Sequence, residues 1–378
     1  MRKLAHIEKI EWKRPIEGAD KIELVGVLGW SVIAKKDEFQ VGDLCVYIEI
    51  DSIVDSTNPA FAFLESKHYK IKTMKMRGVV SQGIVFPLES LGFDKTTMEI
   101  GTDVTKELKV KKIEDEPPRT VVRDRAGELK HKHPKLWQKR WFKWLMHYAW
   151  FRRIAFAWLL PKKVDKAWPS WIKKTDEERI QSCPAILTQY AGKSMVVTEK
   201  LDGTSTSFGL RKVGLGRLDF AICSRNVRMK SPTQKCFYDD NVYCEMAAKY
   251  NIRTVLEAIM KERGATTVVL QGETIGEGIQ ANKYALSGRD FYGFNLVIDG
   301  VRIDSVEAAK IAEKHGVKWV PILDEDFRLL PTVEEMLAYA DKTSVMHDTL
   351  REGVVIRDHN NTVSFKCISN SFLLKHGL

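Results

Sequence analysis

A strongly basic segment divides the sequence into two blocks that are almost neutral. Residues 119–174 hold 16 Lys and Arg against 3 Asp and Glu, whereas residues 1–118 hold 18 against 20 and residues 175–378 hold 26 against 27. This segment supplies the whole net charge of +10. A chain of 378 residues with 44% apolar residues can bury more than one core. We therefore expect a domain on each side of the segment, and a polyanionic partner.

The first block, residues 1–116, has the pattern of short strands separated by turns. Strand-like stretches cover residues 5–12, 21–34, 44–50 and 78–87. Five short strands in about 100 residues are typical of an OB-fold, a frequent nucleic-acid binder, although other small barrels share the pattern. We predict an all-β, OB-like barrel that binds nucleic acid.

Residues 117–167 form a basic, Trp-rich linker in which we predict one helix over residues 134–160. One face of this helix carries Trp137, Trp141, Trp144, Tyr148, Phe151, Ala155 and Trp158, at spacings of three and four. Arg152 and Arg153 interrupt the apolar run, which argues against a transmembrane span. Three roles stay open: packing of the aromatic face on a neighbouring domain, phosphate contact through the basic face, and attachment to a membrane surface.

The last block, residues 168–378, alternates strands and helices, which indicates a mixed α+β domain. Its first chemical signal is Glu199-Lys200-Leu201-Asp202-Gly203, directly after an apolar strand. A lysine followed two positions later by aspartate and glycine is common by chance, so on its own it indicates only a strand end before a turn. Further short blocks follow in order, at residues 223–226, 270–273, 291–294, 351–356 and 363–367.

In this ordered set the sequence resembles the covalent lysine nucleotidyltransferases, the superfamily of ATP-dependent ligases and mRNA capping enzymes. The resemblance implies a nucleotidyltransferase domain of the ATP-grasp-like ligase type, in which Lys200 receives AMP from ATP. A lysine nucleophile must be neutral, whereas its reference pKa lies near 10.4. Burial, a metal ion and Lys366 beside Lys200 would lower that pKa.

The resemblance also implies the other members of the site. Asp202, Glu273 and Glu352 would hold Mg²⁺ or Mn²⁺, since carboxylate oxygens suit these ions. Phe294 would stack on adenine, Glu199 would help to bind the nucleotide, and Arg225 would hold the ribose or an RNA terminus. By residue type alone, each could equally be an ordinary strand-end or core residue.

The order of domains narrows the choice within the superfamily. DNA ligases and capping enzymes carry an OB domain after the block that contains Lys366, but only 12 residues follow here. The chain instead resembles the fifth RNA ligase family, with an N-terminal OB domain. Arg179, 21 residues before Lys200, occupies the position of that family's phosphate-binding arginine; its alternative is an ion pair with Glu177 or Glu178 in a helix.

Two features depart from the family pattern. In many RNA ligases the lysine that corresponds to Lys366 is followed two residues later by a second lysine. This sequence has Ile368 at that position, and Lys375 could replace the missing lysine. The basic linker is also longer than the family core needs.

The sequence thus predicts an RNA repair enzyme. We expect an ATP-dependent RNA ligase, a monomer in its simplest form, that joins 3′-hydroxyl and 5′-phosphate ends in duplex or bridged RNA through lysyl-AMP and RNA-adenylate. The alternatives are a non-catalytic RNA-binding protein with a degenerate ligase domain, a DNA ligase, and a GTP-dependent capping-type enzyme. Six scattered cysteines without a C-x-x-C pair, and no apolar leader in the first residues, predict an intracellular, most simply cytoplasmic, protein.

Overall fold

The computed structural model describes residues 3–113, 126, 129–130, 133–159, 168–229 and 241–378. The predicted boundary between residues 116 and 117, and Cys236, lie outside these ranges. The strands are β1 (Ala5–Pro15), β2 (Ile22–Val27), β3 (Trp30–Lys35), β4 (Leu44–Ile48), β5 (Ser52–Ile53), β6 (Lys70–Ile71), β7 (Met74–Met76), β8 (Val79–Ser81), β9 (Ile84–Pro87), β10 (Lys111–Lys112), β11 (Glu178–Arg179), β12 (Met195–Lys200), β13 (Thr204–Val213), β14 (Arg217–Cys223), β15 (Thr267–Gly276), β16 (Arg289–Ile298), β17 (Val301–Arg302), β18 (Ile322–Phe327), β19 (Gly353–Asp358) and β20 (Ser364–Ile368).

The α-helices are α1 (Pro134–Trp137), α2 (Arg140–Leu145), α3 (Ala149–Leu159), α4 (Ala185–Gln189), α5 (Val242–Lys249), α6 (Ile252–Glu262), α7 (Ser305–Lys314), α8 (Val333–Ala340) and α9 (Asn370–His376). Short 3₁₀ turns cover Pro59–Lys67, Leu88–Leu91, Ile180–Ser182, Gly214–Gly216 and Gln280–Asn282. Within the described part of the chain, no helix has the length and apolarity needed to cross a bilayer.

The N-terminal domain is built around an antiparallel five-stranded sheet in the order β3-β2-β1-β4-β9. β1 pairs with β4 through its first half and with β2 through its second half, and the register shifts between Ile10 and Trp12. This irregularity bends the strand, as expected for a curled sheet. Gly26 lies under Trp12, where a Cβ would come within 2.1 Å of the indole ring.

Residues with a left-handed backbone conformation divide two segments of regular structure, of which the first is a predicted strand. The strand predicted over residues 21–34 is a hairpin, since the chain turns at Leu28, which has a positive φ of 51°. In the C-terminal domain, helices α5 and α6 follow each other directly and are separated by Asn251, which adopts a left-handed conformation between them.

The C-terminal domain contains two five-stranded sheets. One has the order β11-β20-β19-β12-β18, and the other β14-β13-β15-β16-β17. β12 and β13 follow each other along the chain but belong to different sheets, so residues 201–203 carry the chain from one sheet to the other. Helices α5, α6 and α7 pack on the second sheet around the largest buried cluster, which includes Phe208, Leu256 and Phe291.

The predicted helix over residues 134–160 is three short helices, α1 to α3. They pack on one another around Leu129, Phe142, Met146 and Ala155, and this buried cluster draws only on residues 129–159 among those described. Four residues of the predicted buried face, Trp141, Trp144, Tyr148 and Trp158, are exposed. The prediction of a single helix was therefore wrong, and of the three roles left open, packing of the aromatic face in the core of a neighbouring domain is not seen among the described residues. We call residues 129–159 the Trp-rich module.

Candidate active site

The motif lysine ends a buried strand and meets a carboxylate from the neighbouring strand. β12 pairs with β19 in a register that sets Lys200 opposite Gly353, so Glu352 lies just before that position. Lys200 Nζ donates a hydrogen bond to Glu352 Oε2 at 2.7 Å. Two residues 152 positions apart are thus joined by sheet register.

The glycine of the motif permits a close crossing between the two sheets. A Cβ on Gly203 would lie 2.4 Å from the carbonyl oxygen of Thr274, on β15. Only glycine allows this approach, and it brings the residues after Lys200 against the strand that carries Glu273. The Asp202 backbone N–H donates to Tyr284 Oη at 2.8 Å, and the Asp202 carboxylate accepts from Lys283 Nζ.

Negative charge dominates around the lysine. Burial lowers the pKa of Lys200, but the charges of Glu352, Glu273 and Asp202 outweigh it, and the net shift is upward. Burial raises the pKa of Glu273 to about 8, and the carboxylates of Glu352 and Asp202 add to the rise. The expectation of a lowered lysine pKa is thus not met by the protein's own groups, because the carboxylates stabilise the ammonium ion more than burial destabilises it.

A cavity of about 530 Å³ opens beside Lys200, between the two sheets. All nine site residues named from the sequence line it: Arg179, Glu199, Lys200, Asp202, Arg225, Glu273, Phe294, Glu352 and Lys366. Gln280 also lines it, whereas Lys375, the candidate for the missing second lysine, is exposed and does not. Among the described residues, no three His, Cys, Asp or Glu side chains are already arranged as a metal site.

The carboxylate of Glu199, which also lines the cavity, is bonded to the loop that precedes β19. Ser344 Oγ donates to Glu199 Oε1 at 2.5 Å, and the Val345 N–H donates to Oε2 at 3.0 Å. Its carboxylate therefore fixes the loop before β19, which starts beside Lys200.

The N-terminal domain contributes one wall of the cavity through two ion pairs. Arg179 Nη2 bonds Asp51 Oδ2 at 2.8 Å, and Lys112 Nζ bonds Asp176 Oδ2 at 2.7 Å. The alternative partners of Arg179, Glu177 and Glu178, are not used. Arg179 is 6% exposed and lies in a strand, and its Nε and Nη1 have no hydrogen-bond partner among the described residues.

Asp176 joins this interdomain contact to the predicted catalytic lysine of β20. Its Oδ1 lies 3.5 Å from Lys366 Nζ, while its Oδ2 holds Lys112. Although burial opposes the shift, Lys112, Lys366 and Arg225 lower the pKa of Asp176 to about 2. The carboxylate stays ionised and fixes two cations at the cavity edge.

Sequence reasoning missed several residues that build the site. Arg357 bonds Glu177 at 3.0 Å and the carbonyl oxygen of Phe294 at 2.9 Å, which fixes the backbone of the proposed adenine-stacking residue. Lys283, Asp51 and Lys112 belong to none of the motifs. Their partners lie between 64 and 128 positions away, so no local pattern could identify them.

Comparisons with known proteins agree with this geometry. Residues 4–88 match the model of an OB-fold domain, and residues 193–375 match the RNA ligase family. Three solved structures of the Naegleria gruberi RNA ligase are 29% identical and cover all of this chain: with pyrophosphate (TM-score 0.78, 99% of that chain), as a variant with ATP and manganese (0.77, 98%) and as a variant with AMP and manganese (0.78, 99%). No curated protein matches the sequence.

The likeness thus extends over both domains. The N-terminal barrel is an OB-fold, and the predicted α+β architecture is confirmed. The chain belongs to the ATP-dependent RNA ligases of the covalent lysine nucleotidyltransferase superfamily, with an OB-fold domain N-terminal to the catalytic domain.

Proposed function

We propose that the protein seals breaks with 3′-hydroxyl and 5′-phosphate ends in duplex RNA or RNA-containing hybrids, and that Lys200 carries AMP between ATP and RNA. The observation that carries this proposal is that Lys200 lines a cavity to which both domains contribute residues. A cavity of about 530 Å³ is within the range of small-molecule sites.

In the first step Lys200 Nζ attacks the α-phosphorus of ATP. A nitrogen–phosphorus bond forms as the bond to the pyrophosphate oxygen breaks. The ammonium ion loses one proton before the attack and the nitrogen loses a second one after it, so the phosphoramidate keeps one N–H. Glu352 touches this amine at 2.7 Å and its own pKa is raised, mainly by burial. It is the described carboxylate placed to accept a proton from Nζ.

The carboxylates around Lys200 fit a divalent cation. Burial, with the neighbouring charges of Glu352 and Asp202, raises the pKa of Glu273 to about 8, although the charges of Lys200 and Arg225 oppose the rise. Mg²⁺ or Mn²⁺ held by Asp202, Glu273 and Glu352, directly or through water, would lower the pKa of Lys200 and offset charge on the phosphates. Lys283, which now holds Asp202, would then share that carboxylate.

Other cavity residues suit the remaining parts of the nucleotide. The two unpartnered guanidinium nitrogens of Arg179 can bind phosphate oxygens, which is the role expected for it from the family resemblance. Phe294 offers an aromatic face for adenine, and Arg357 holds its backbone. Lys366 and Arg225 lie near Asp176, where they can hold the phosphate or ribose of a polynucleotide end.

Two further steps complete the reaction. A 5′-phosphate oxygen of RNA attacks the phosphorus of lysyl-AMP and the nitrogen–phosphorus bond breaks, which regenerates the Lys200 amine. A 3′-hydroxyl then attacks the activated 5′-phosphate, loses its proton and expels AMP. A complementary strand supplies the proximity that the last step needs, and the OB-fold domain, whose Asp51 and Lys112 line the cavity, would hold the A-form duplex beside the break.

A panel of nicked duplexes tests this substrate class. The purified protein is given ATP, magnesium and 5′-labelled substrates: an RNA nick on RNA, an RNA nick on DNA, a DNA nick, and the same RNA ends without a template. We expect joining of RNA nicks to exceed joining of untemplated ends by about 100-fold or more.

Two variants provide the controls. Lys200→Met should abolish joining, whereas Lys212→Met, a change at an exposed lysine of the same domain, should leave it unchanged. Equal joining of untemplated ends, or joining of the DNA nick alone, would contradict the proposed substrate.

A further inference from the structure

The Trp-rich module is a unit with its own core. Phe142 and Met146 from the second helix and turn pack against Ala155 of α3, and Phe151 meets Phe142 edge to face at 5.6 Å. His133 Nε2 lies 3.0 Å from the Leu159 carbonyl oxygen, which ties the start of the module to its end. The aromatic residues left outside this core are therefore presented by a folded surface.

Two exposed apolar stripes run along this surface. On α3 they are Trp150, Ile154 and Trp158, at 59%, 49% and 87% exposure and four residues apart, so they lie on one face of the helix. On and after α2 they are Trp141, Trp144 and Tyr148, at 53%, 60% and 43%. Exposed apolar patches of this kind mark interaction sites.

The charge beside these stripes has one sign. Residues 129–164 contain ten Lys and Arg and no Asp or Glu. Arg152 and Arg153 are exposed on the helix that carries Trp150 and Trp158, and Lys139, Arg140 and Lys143 accompany Trp141 and Trp144. The surface therefore complements a negative partner that also accepts large apolar side chains.

The stripe composition favours lipid over nucleic acid. Bases stack on open aromatic faces, but Ile154 cannot stack. The Trp144 and Tyr148 rings meet edge to face at 5.2 Å, so this pair shields part of one ring face. Trp and Tyr beside Lys and Arg, with an aliphatic residue in the same stripe, are the composition of helices that lie in a membrane interface. We propose that the Trp-rich module docks on the surface of an anionic phospholipid membrane.

In this arrangement the exposed indole rings enter the headgroup region while the basic residues meet lipid phosphates. Docking at the surface needs no helix that spans the bilayer. The proposal is independent of the ligation reaction, since none of the cavity residues belongs to the module.

Vesicle sedimentation of the full chain tests this proposal. Vesicles of phosphatidylcholine alone are compared with vesicles of equal parts phosphatidylcholine and phosphatidylserine. We expect binding to the phosphatidylserine vesicles, a blue shift of tryptophan emission on binding, and weaker binding as salt rises. Trp150→Ala with Trp158→Ala should weaken binding by about tenfold or more, and Arg152→Gln with Arg153→Gln should weaken it at low salt.

Matched changes elsewhere provide the controls. Phe63→Ala removes a ring of similar exposure, 60%, from the OB-fold domain, and Lys35→Gln with Lys36→Gln removes two exposed cations there. Both should bind vesicles like the wild type. Because the replaced tryptophans are exposed, the thermal unfolding of the Trp variant should match the wild type.

Three results would overturn the proposal. The first is no binding to phosphatidylserine vesicles, and the second is binding that the tryptophan and arginine variants leave unchanged. The third is a loss, without vesicles, of single-stranded RNA binding or of self-association in the tryptophan variant; loss of RNA binding would assign the surface to RNA, and loss of self-association to a second copy of the chain.

Discussion

The catalytic cavity and the Trp-rich module both concentrate cations, but they surround them differently. In the cavity, Lys200, Arg179 and Lys112 each meet a carboxylate from a distant part of the chain. In the module the sequence supplies no acid between residues 129 and 164. Paired charges hold a reaction site in place, whereas a surface of one charge sign with exposed apolar side chains suits an external partner.

The largest expected effect lies at Glu273, whose ionised carboxylate lowers the stability of the fold. Glu273→Gln should reduce lysyl-AMP formation by about 100-fold or more, since it removes a negative group from the proposed cation site. The same variant should be more stable than the wild type without metal. The folded-state pKa of Glu273, about 8, exceeds the unfolded value. The free energy of unfolding therefore falls as pH rises from about 4.5 to 8, because the unfolded state releases this proton first.

Thermal unfolding in chelator across that pH range measures the effect on stability. Separate labelling with radioactive ATP measures the effect on lysyl-AMP formation. Glu277→Gln, at an exposed acid a few residues away, should change neither. A Glu273→Gln variant that forms lysyl-AMP like the wild type would contradict the role of Glu273 in the cation site. A variant that is less stable than the wild type at pH 8 would show that the carboxylate does not destabilise the fold.

The next effect concerns the wall between the domains. Asp51→Asn removes the described partner of Arg179 and leaves a buried guanidinium without its counter-ion. We expect a loss of about 2 kcal/mol in the free energy of unfolding and about a tenfold loss in lysyl-AMP formation, because Arg179 moves. Denaturant unfolding and single-turnover labelling measure these quantities.

Asp20→Asn is the control, since Asp20 is exposed in the same domain. If the two variants had the same free energy of unfolding and the same rate of lysyl-AMP formation, the Arg179–Asp51 ion pair would contribute to neither, which would contradict this prediction.

A smaller effect comes from a buried histidine that backs the same interface. His6 Nδ1 lies 2.7 Å from Glu8, and Glu49, which also faces His6, accepts from Ser182 of the catalytic domain at 2.9 Å. Although burial opposes it, hydrogen bonds and charge from Glu49 and Glu8 raise the pKa of His6 to about 9. Its stabilising contribution is full below pH 6.5 and is lost as pH rises through 9.

The wild type should therefore lose about 1–3 kcal/mol of stability between pH 6.5 and 9 through this group, and His6→Gln should remove most of that slope. Denaturant melts at several pH values provide the measurement. His347→Gln, at an exposed histidine, should retain the wild-type slope; a flat wild-type profile would contradict the assignment.

The smallest effect on catalysis is expected in the module. Phe142→Ala deletes a ring from the module's own core, whereas Phe208→Ala deletes one from the catalytic core, where the side chain is fully buried. The second change should cost about 3–5 kcal/mol of domain stability. The first should leave lysyl-AMP formation within about twofold of the wild type, and labelling of both variants compares them. A similar loss in both would make the module part of the catalytic fold.

The sequence predicts the cavity better than the module for a physical reason. Lys200, Asp202 and Glu352 lie at strand ends whose register follows from the sheet, so their motifs specify where they meet. The partner of Arg179 depends on how two domains pack, which no local pattern contains. In the module, the helical spacing of aromatic residues is the same for a buried face and for an exposed one, and only the position of Phe142 and Met146 in the core decides between them.

Covalent labelling tests directly whether Lys200 forms a covalent bond to AMP from ATP. The wild type and the Lys200→Met variant, first stripped of bound AMP with pyrophosphate, are incubated with α-labelled ATP or GTP and Mg²⁺ and separated on a denaturing gel. We expect acid-labile label on the wild type from ATP alone and none on the variant. Label that persists in Lys200→Met, or a wild type that takes no label from ATP, would contradict it.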